Sequence, residues 1–284
     1  MSPWARLLIY LVAAPLVGGL LAGVDRIITA RMQARVGPPV WQPFYDVIKL
    51  WNKETIVVRR SQNFYIFFFL VLMIFTGALF FAGFDLLLTV FALTLAGIFF
   101  VLGAYKASSP YSFLGAEREL IQMMAYEPML LIAAVSIYMV TGSFYVHDIV
   151  RHPGLLVGPL PGVFLGFLFA LEIKFRKSPF DFSSSHHAHQ ELVKGITTEF
   201  SGRALAMIEV AHWYEYVMLL GWVYLFFASV PVLGAVATLL VYLFLILTDN
   251  TFARLKWPMA LKSAWAVTLA LGFGNIMVLS LLQK

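Results

Sequence analysis

The chain has 284 residues, of which 61% are hydrophobic, 12% charged and none cysteine, with a formal net charge of +5. Globular domains average roughly 45–50% apolar and about 25% charged, so a water-soluble enzyme is excluded. The absence of cysteine excludes disulfides, thiolate zinc sites and iron–sulfur ligation, so any redox centre sits on a partner or is held without thiolate.

A bilayer span takes about 20 mainly apolar residues. Hydropathy places eight of them, at 3–28, 64–84, 86–105, 120–142, 155–175, 204–230, 232–248 and 263–282. The predicted fold class is all-α polytopic membrane protein, with 1–284 as a single integral membrane domain. The first span is expected to be retained rather than cleaved as a signal peptide, because its apolar run is long and Arg31 and Arg35 follow where a cleavage site should be. After it, Trp41, Phe44, Tyr45 and Ile48 recur at i, i+3, i+4 and i+7, with Asp46, Lys49 and Lys53 on the other faces. This pattern predicts a cytoplasmic amphipathic helix, either lying in the membrane interface or packed on the spans. Phe144 to His152 is a candidate second surface helix, carried by Val146 and Ile149.

Orientation follows from the Lys/Arg asymmetry. Assigning alternate loops to one side puts seventeen basic residues there, from Arg26 to Lys262, and only Arg6, Arg151 and Lys284 on the other. The stretches 30–60, 177–200 and 249–262 are therefore expected in the cytoplasm and both termini outside, in a cytoplasmic (inner) membrane. The basic residues are spread over several loops, which argues against a nucleic-acid partner.

Ionisable groups inside a membrane are costly and usually face a cavity, a partner or a proton path. Asp25 is expected to pair with its neighbour Arg26. Glu127 has no basic neighbour in sequence, and Pro128 weakens the helix ladder beside it, leaving carbonyls to line a polar cavity. Glu172 precedes Lys174, Arg176 and Lys177, so an ion pair and an ion-coupling role are both open. Glu209, His212 and Glu215 follow at i, i+3 and i+6 on one helical face, with Glu199 just before them. Such a stripe can pass protons or serve interhelical hydrogen bonding. The loop from Ser178 to Gly202 holds His186, His187 and His189 with Glu191 close by. Three histidines and a carboxylate could ligate zinc or iron, but no regular spacing puts them on one face, and a protonatable loop contacting a partner is the better reading.

Several short motifs, in order, resemble those of the respiratory complex I subunit 1 family. They are Arg31-x-Gln33-x-Arg35-x-Gly37-Pro38, Gln42-Pro43-x-x-Asp46-x-x-Lys49-Leu50 and Tyr126-Glu127, then Pro179-Phe180-Asp181, Glu191-Leu192-Val193-x-Gly195 and Glu199-Phe200-Ser201-Gly202. Only Pro39, Val40 and Trp41 stand between Gly-Pro and Gln-Pro, where quinone-reducing members carry a longer insert. The stretch after Asp181 reads Ser-Ser-Ser-His-His-Ala-His-Gln, where those members carry glutamates. This version is similar to the membrane subunit of ferredoxin-linked, Ech-type energy-converting [NiFe] hydrogenases, and to that of their carbon-monoxide-linked relatives.

The resemblance implies a membrane-anchor and ion-coupling subunit that links electron transfer in a peripheral arm to proton or sodium translocation. Glu127, Glu172 and Glu199 match family carboxylate positions. The family's sixth-span glutamate falls on His212 in an ungapped reading, leaving Glu209 or Glu215 as its replacement one helical turn away. Arg31, Arg35, Asp46, Lys49, Asp181, His186, His187, His189 and Glu191 are the implied partner-interface residues. No cofactor or metal is expected in this chain. A NiFe centre and iron–sulfur clusters are expected on hydrogenase large and small subunits and a ferredoxin-like iron–sulfur subunit, with an antiporter-like membrane subunit alongside. The alternative is the quinone-reducing complex I subunit, with a quinone pocket beneath the same loop. A stand-alone secondary transporter is disfavoured, because no inverted repeat with paired broken helices is present.

Overall fold

The computed structural model describes residues 3–55, 59–180, 183 and 194–282. In chain order its helices are α1 (Pro3–Met32), α2 (Gln42–Asn52), α3 (Arg60–Ala82), α4 (Leu86–Tyr105), α5 (Pro110–Thr141), α6 (Val146–Arg151), α7 (Pro161–Lys174), a 3₁₀ turn (Gly195–Thr197), α8 (Gly202–Leu225), α9 (Pro231–Thr251), α10 (Trp257–Val267) and α11 (Gly274–Leu282). A π-helical turn, Thr268–Phe273, joins α10 to α11 without a break. Proline stands in the first turn of α2, α5, α7, α9 and α10, where its missing N–H costs nothing and its fixed φ suits the helix. Gly83 and Gly142 close α3 and α5 at φ +94° and +74°, a left-handed turn that side chains resist.

Six of these helices are long and apolar enough to cross a membrane: α1, α3, α4, α5, α9 and the continuous Trp257–Leu282 helix. No strand is present among the described residues; one isolated bridge joins Asp85 to Tyr145. The chain is an all-α polytopic membrane protein. The other two of the eight expected spans coincide with α7, only 14 residues long, and α8, whose Glu209, His212 and Glu215 lower its mean hydropathy. The expected amphipathic helix is α2, and the short helix after Phe144 is α6, which buries Val146 and Ile149 as its weak period suggested.

Contacts divide the chain into two compact units, each described by itself. The first comprises Met1–Ala78, Ala92–Leu120 and Asp181–Val217. Within it, α1 presents Gly18, Gly19 and Gly23 to its neighbours. A Cβ on Gly18 would meet the Trp213 carbonyl oxygen at 2.5 Å, one on Gly19 the Phe44 ring at 2.4 Å, and one on Gly23 the Val40 carbonyl oxygen at 2.0 Å. These missing side chains let α2, its lead-in segment and α8 lie directly on α1. Gly202 opens α8 at φ +54°, and its Cα faces the Glu54 and Lys53 carbonyls that follow α2. The second unit comprises Leu79–Phe91, Ile121–Phe180 and Met218–Lys284. Its core stacks Phe164 and Phe167 of α7 on Trp222 and Phe226, with Gly166 letting Met129 of α5 come close. The α7 N-terminus is capped from α11: Asn275 Oδ1 accepts from the Gly162 and Val163 N–H groups at 2.8 and 3.2 Å.

Candidate functional site

In the first unit, the α1–α2 segment places the basic loop. Arg26 donates to Asp46 at 2.6 Å, and Gln42 donates to the same carboxylate at 2.8 Å. Partial burial works against the charged form, but the hydrogen bonds from Arg26 and Gln42 outweigh it and hold the Asp46 carboxyl below the ordinary range. The expected Asp25–Arg26 pair is therefore corrected. Neighbours in sequence point to different sides of a helix, so Arg26 turns to Asp46 while Asp25 accepts from Thr29 one turn on, at 3.4 Å. Arg31, Arg35 and Lys49 are exposed, with Arg35 donating to the Gln33 side chain. The apolar stripe of α2 divides: Phe44 packs on Trp213, whereas Trp41, Tyr45, Ile48 and Trp51 are each more than half exposed. Both readings of this helix thus describe one part of it.

The sixth-span stripe lies in the same unit. Glu215 is buried at 1% exposure, and Glu209 and His212 are half-buried. The His212 ring meets the edges of Phe69 and Phe100 at 5.9 and 6.0 Å, and Phe200 stacks on Phe100. Glu199, also half-buried, accepts through its main-chain carbonyl from Gln62 at 3.4 Å. The long loop is pinned at both described ends. Ser183 donates to the buried Glu119 carboxylate at 2.5 Å, and the Ile196 N–H donates to the Ser183 carbonyl at 2.8 Å. Gly195 sits at φ +36° with the Ser183 oxygen where a Cβ would stand, which accounts for the glycine in that motif. Asp181, His186, His187, His189 and Glu191 lie outside the described residues.

The second unit holds Glu127 and Glu172. Glu127 is half-buried on α5, beside Tyr126, and Pro128 is accommodated inside the helix. Glu172, 6% exposed, accepts from the Thr248 hydroxyl of α9, and its second oxygen is buried with no hydrogen-bond partner among the described residues. The open choice of an ion pair for Glu172 is thereby decided: its partner is a hydroxyl. Lys174 instead donates to the Tyr126 hydroxyl at 3.0 Å, its ammonium 4.8 Å from that ring's centre. Lys177 reaches Asp249 at 3.4 Å, and Gln122 donates to the Phe180 carbonyl. Buried carboxylates beside hydroxyl and ammonium groups can take up and release protons, which is the chemistry such residues serve within a membrane.

Residue types and spacing brought Glu127, Glu172 and the α8 stripe forward, but not Glu119, Thr248 or Asp249. Among the described residues, no group of three or more His, Cys, Asp or Glu could hold a metal ion.

The family described as NADH dehydrogenase matches residues 5–280. The chain belongs to the NADH dehydrogenase family of complex I subunit 1. A member of this family is a membrane subunit of the complex I-like or hydrogenase-like kind. This chain is 33% identical over 205 residues to hydrogenase-4 component C of Escherichia coli K12, covering 66% of this chain and 64% of that relative. It is 30% identical to a membrane-family subunit of the NADH-quinone oxidoreductase of Syntrophobacter fumaroxidans, with 96% of this chain and 93% of the relative covered. The same identity holds with the corresponding subunit of the F(420)H(2) dehydrogenase of Methanosarcina mazei, over 96% and 95%. Among solved structures, a chain of the membrane-bound sulfane sulfur reductase, an archaeal respiratory membrane complex, superposes with a TM-score of 0.85 at 25% identity, covering 98% and 99%.

Proposed function

We propose that this chain is the membrane-anchor and ion-coupling subunit of a ferredoxin-linked energy-converting [NiFe] hydrogenase. Partner subunits carry the NiFe centre and the iron–sulfur clusters, and an antiporter-like membrane subunit sits beside it. The buried Glu172, held by a hydroxyl rather than neutralised by a cation, is the observation that supports a coupling role most directly. Glu127, Glu199, Glu209, His212 and Glu215 complete the set of ion-coupling candidates. The histidine-bearing loop and the likeness to hydrogenase-4 component C support the hydrogenase branch. The relatives described as NADH-quinone oxidoreductase subunits support the second reading, a quinone-reducing subunit. Arg31, Arg35, Asp46, Lys49, Asp181, His186, His187, His189 and Glu191 are assigned to the partner interface. The chain forms one integral membrane domain, with the basic loops on the cytoplasmic side and both termini outside.

The test is ion movement per hydrogen by the assembled complex. Glu127→Gln and Glu172→Gln remove a titratable proton while nearly keeping shape. Pumping should fall in both, with hydrogen turnover either falling too or running uncoupled. Moving one charge against 100 mV takes about 2.3 kcal/mol, so one silenced carboxylate is enough to matter. Unchanged pumping per hydrogen in both variants would sink the coupling role. Robust reduction of an added quinone would favour the second reading.

A further inference from the structure

Thr248 and Asp249 are adjacent on α9, yet they grip two different parts of the α7 end. Thr248 Oγ1 donates to Glu172 and lies 3.0 Å from the Leu245 carbonyl of its own helix. The hydroxyl can donate to an ionised Glu172. When Glu172 carries a proton, the hydroxyl can accept it in a hydrogen bond and turn its own hydrogen to Leu245. It therefore holds the side chain against α9 in either charge state. Asp249 Oδ1 accepts from the Ser178 N–H at 2.8 Å, and Oδ2 faces Lys177 Nζ at 3.4 Å. Ser178 is the root of the long loop. The carbonyl of the next residue, Pro179, accepts from the Leu255 N–H at 3.2 Å, which fastens the root to the segment beyond the α9 end as well.

The charged groups within electrostatic reach of Glu172 are Lys177 and Asp249. On α5, the Tyr126 hydroxyl is engaged by Lys174. One ammonium, Lys177, thus stands between two carboxylates that α9 holds in place, and one of those carboxylates carries the loop root. We propose that Thr248 and Asp249 are positioning residues that join the charge state of Glu172 to the root of the long loop at Lys177–Ser178. With Glu172 ionised, Lys177 is shared between two anions. With Glu172 neutral, the pull of Lys177 goes to Asp249, and the Asp249–Ser178 anchorage tightens. This inference rests on the reading of Glu172 as an ion-coupling carboxylate, and it supplies what that reading lacks, a contact between the buried carboxylate and the partner-facing loop.

The experiment is amide hydrogen exchange on the assembled complex, read in the peptide containing Ser178, together with pumping on the same preparations. Glu172→Gln imitates the neutral carboxyl and should slow exchange at Ser178 about fivefold or more, the lower end of ordinary coupling between sites. Thr248→Val keeps the shape but removes the hydroxyl, so in that background Glu172→Gln should leave exchange unchanged. Thr248→Ser, which keeps the hydroxyl, should restore the effect. Asp249→Asn should speed exchange at Ser178 whatever stands at 172. An equal effect of Glu172→Gln with Val or Thr at 248, or none in either, overturns the linkage. The two failures separate cleanly. Lost pumping without the exchange linkage refutes this inference alone, whereas intact pumping in Glu172→Gln with the linkage present refutes the coupling role of Glu172 alone.

Discussion

Gly115 lies in the first third of α5, and the backbone of the 3₁₀ turn passes where its side chain would be. A Cβ there would stand 2.2 Å from Ile196 N, 2.5 Å from Gly195 C and 2.8 Å from Ile196 Cα. All three are main-chain atoms, so no rotamer change relieves the clash. Reaching ordinary contact at 3.4 Å demands that the turn retreat by about 1.2 Å. The same movement stretches the 2.8 Å bond from the Ile196 N–H to the Ser183 carbonyl beyond hydrogen-bonding range. Gly115→Ala therefore combines overpacking, about 1–3 kcal/mol, with a broken buried hydrogen bond, about 1–3 kcal/mol. The better helix propensity of alanine returns about 1 kcal/mol. We expect a net loss of about 2–4 kcal/mol in unfolding of the purified protein in detergent, with faster amide exchange at Ile196. Gly274→Ala on α11 is the control, because a Cβ there meets nothing within 4 Å. It should be neutral or stabilise by up to about 1 kcal/mol. A Gly115→Ala protein as stable as the parent, with unchanged exchange at Ile196, would refute the close approach.

Asn275→Ala leaves the Gly162 and Val163 N–H groups of α7 without their acceptor, and should destabilise by about 1–3 kcal/mol in the same unfolding assay. Asn275→Asp, which keeps the accepting oxygens, should recover most of that loss. Asp46 has its carboxyl pKa held down in the folded state, so its contribution is full at neutral pH and is lost as pH falls through that lowered value, below the ordinary 3.8. The Arg26–Asp46 pair is about 40% exposed, so after solvent screening Asp46→Asn should cost no more than about 0.5 kcal/mol at pH 7 and nothing at acid pH, as urea titrations at two pH values will read. A larger cost that persists in acid would show that the side chain acts through packing.

Helix positions were legible wherever apolar residues dominate. The predicted third span coincides with α4 at both ends, because Leu86–Tyr105 is uniformly apolar between turn residues. The fourth was placed ten residues late, since α5 begins at Pro110 and its early turns carry Glu117, Arg118 and Glu119, which hydropathy counts against a span. The fifth was drawn too long at its start. Residues 155–160 are apolar but not helical, and Leu156 and Val157 bond instead to the Phe226 carbonyl. Glu119 and Asp249 escaped notice because a charge at a span's end reads as a wetted one. Their partners Ser183 and Ser178 lie 64 and 71 residues away, a separation that periodicity cannot carry. The α8 stripe was visible because all three members share one helix. Thr248 had no such company.

The π turn in the final helix has a consequence for the chain as a length of tape. A π turn holds one residue more than the α turn it replaces, and each α residue advances the helix by about 100°. The surplus residue therefore sets the phase of α11 relative to α10. Within the turn, the Leu271 carbonyl lies 2.8 Å from where a Cβ of Gly162 would be, and just past it Asn275 reaches the α7 N-terminus. Deleting one residue from 268–273 would turn the widened coil into ordinary α-helix and rotate everything after it by that same angle, carrying Asn275 off its two amides. The apolar content of the helix would hardly change, so insertion into the bilayer would proceed as before. This helix thus tolerates exchange of its letters far better than a change in their number.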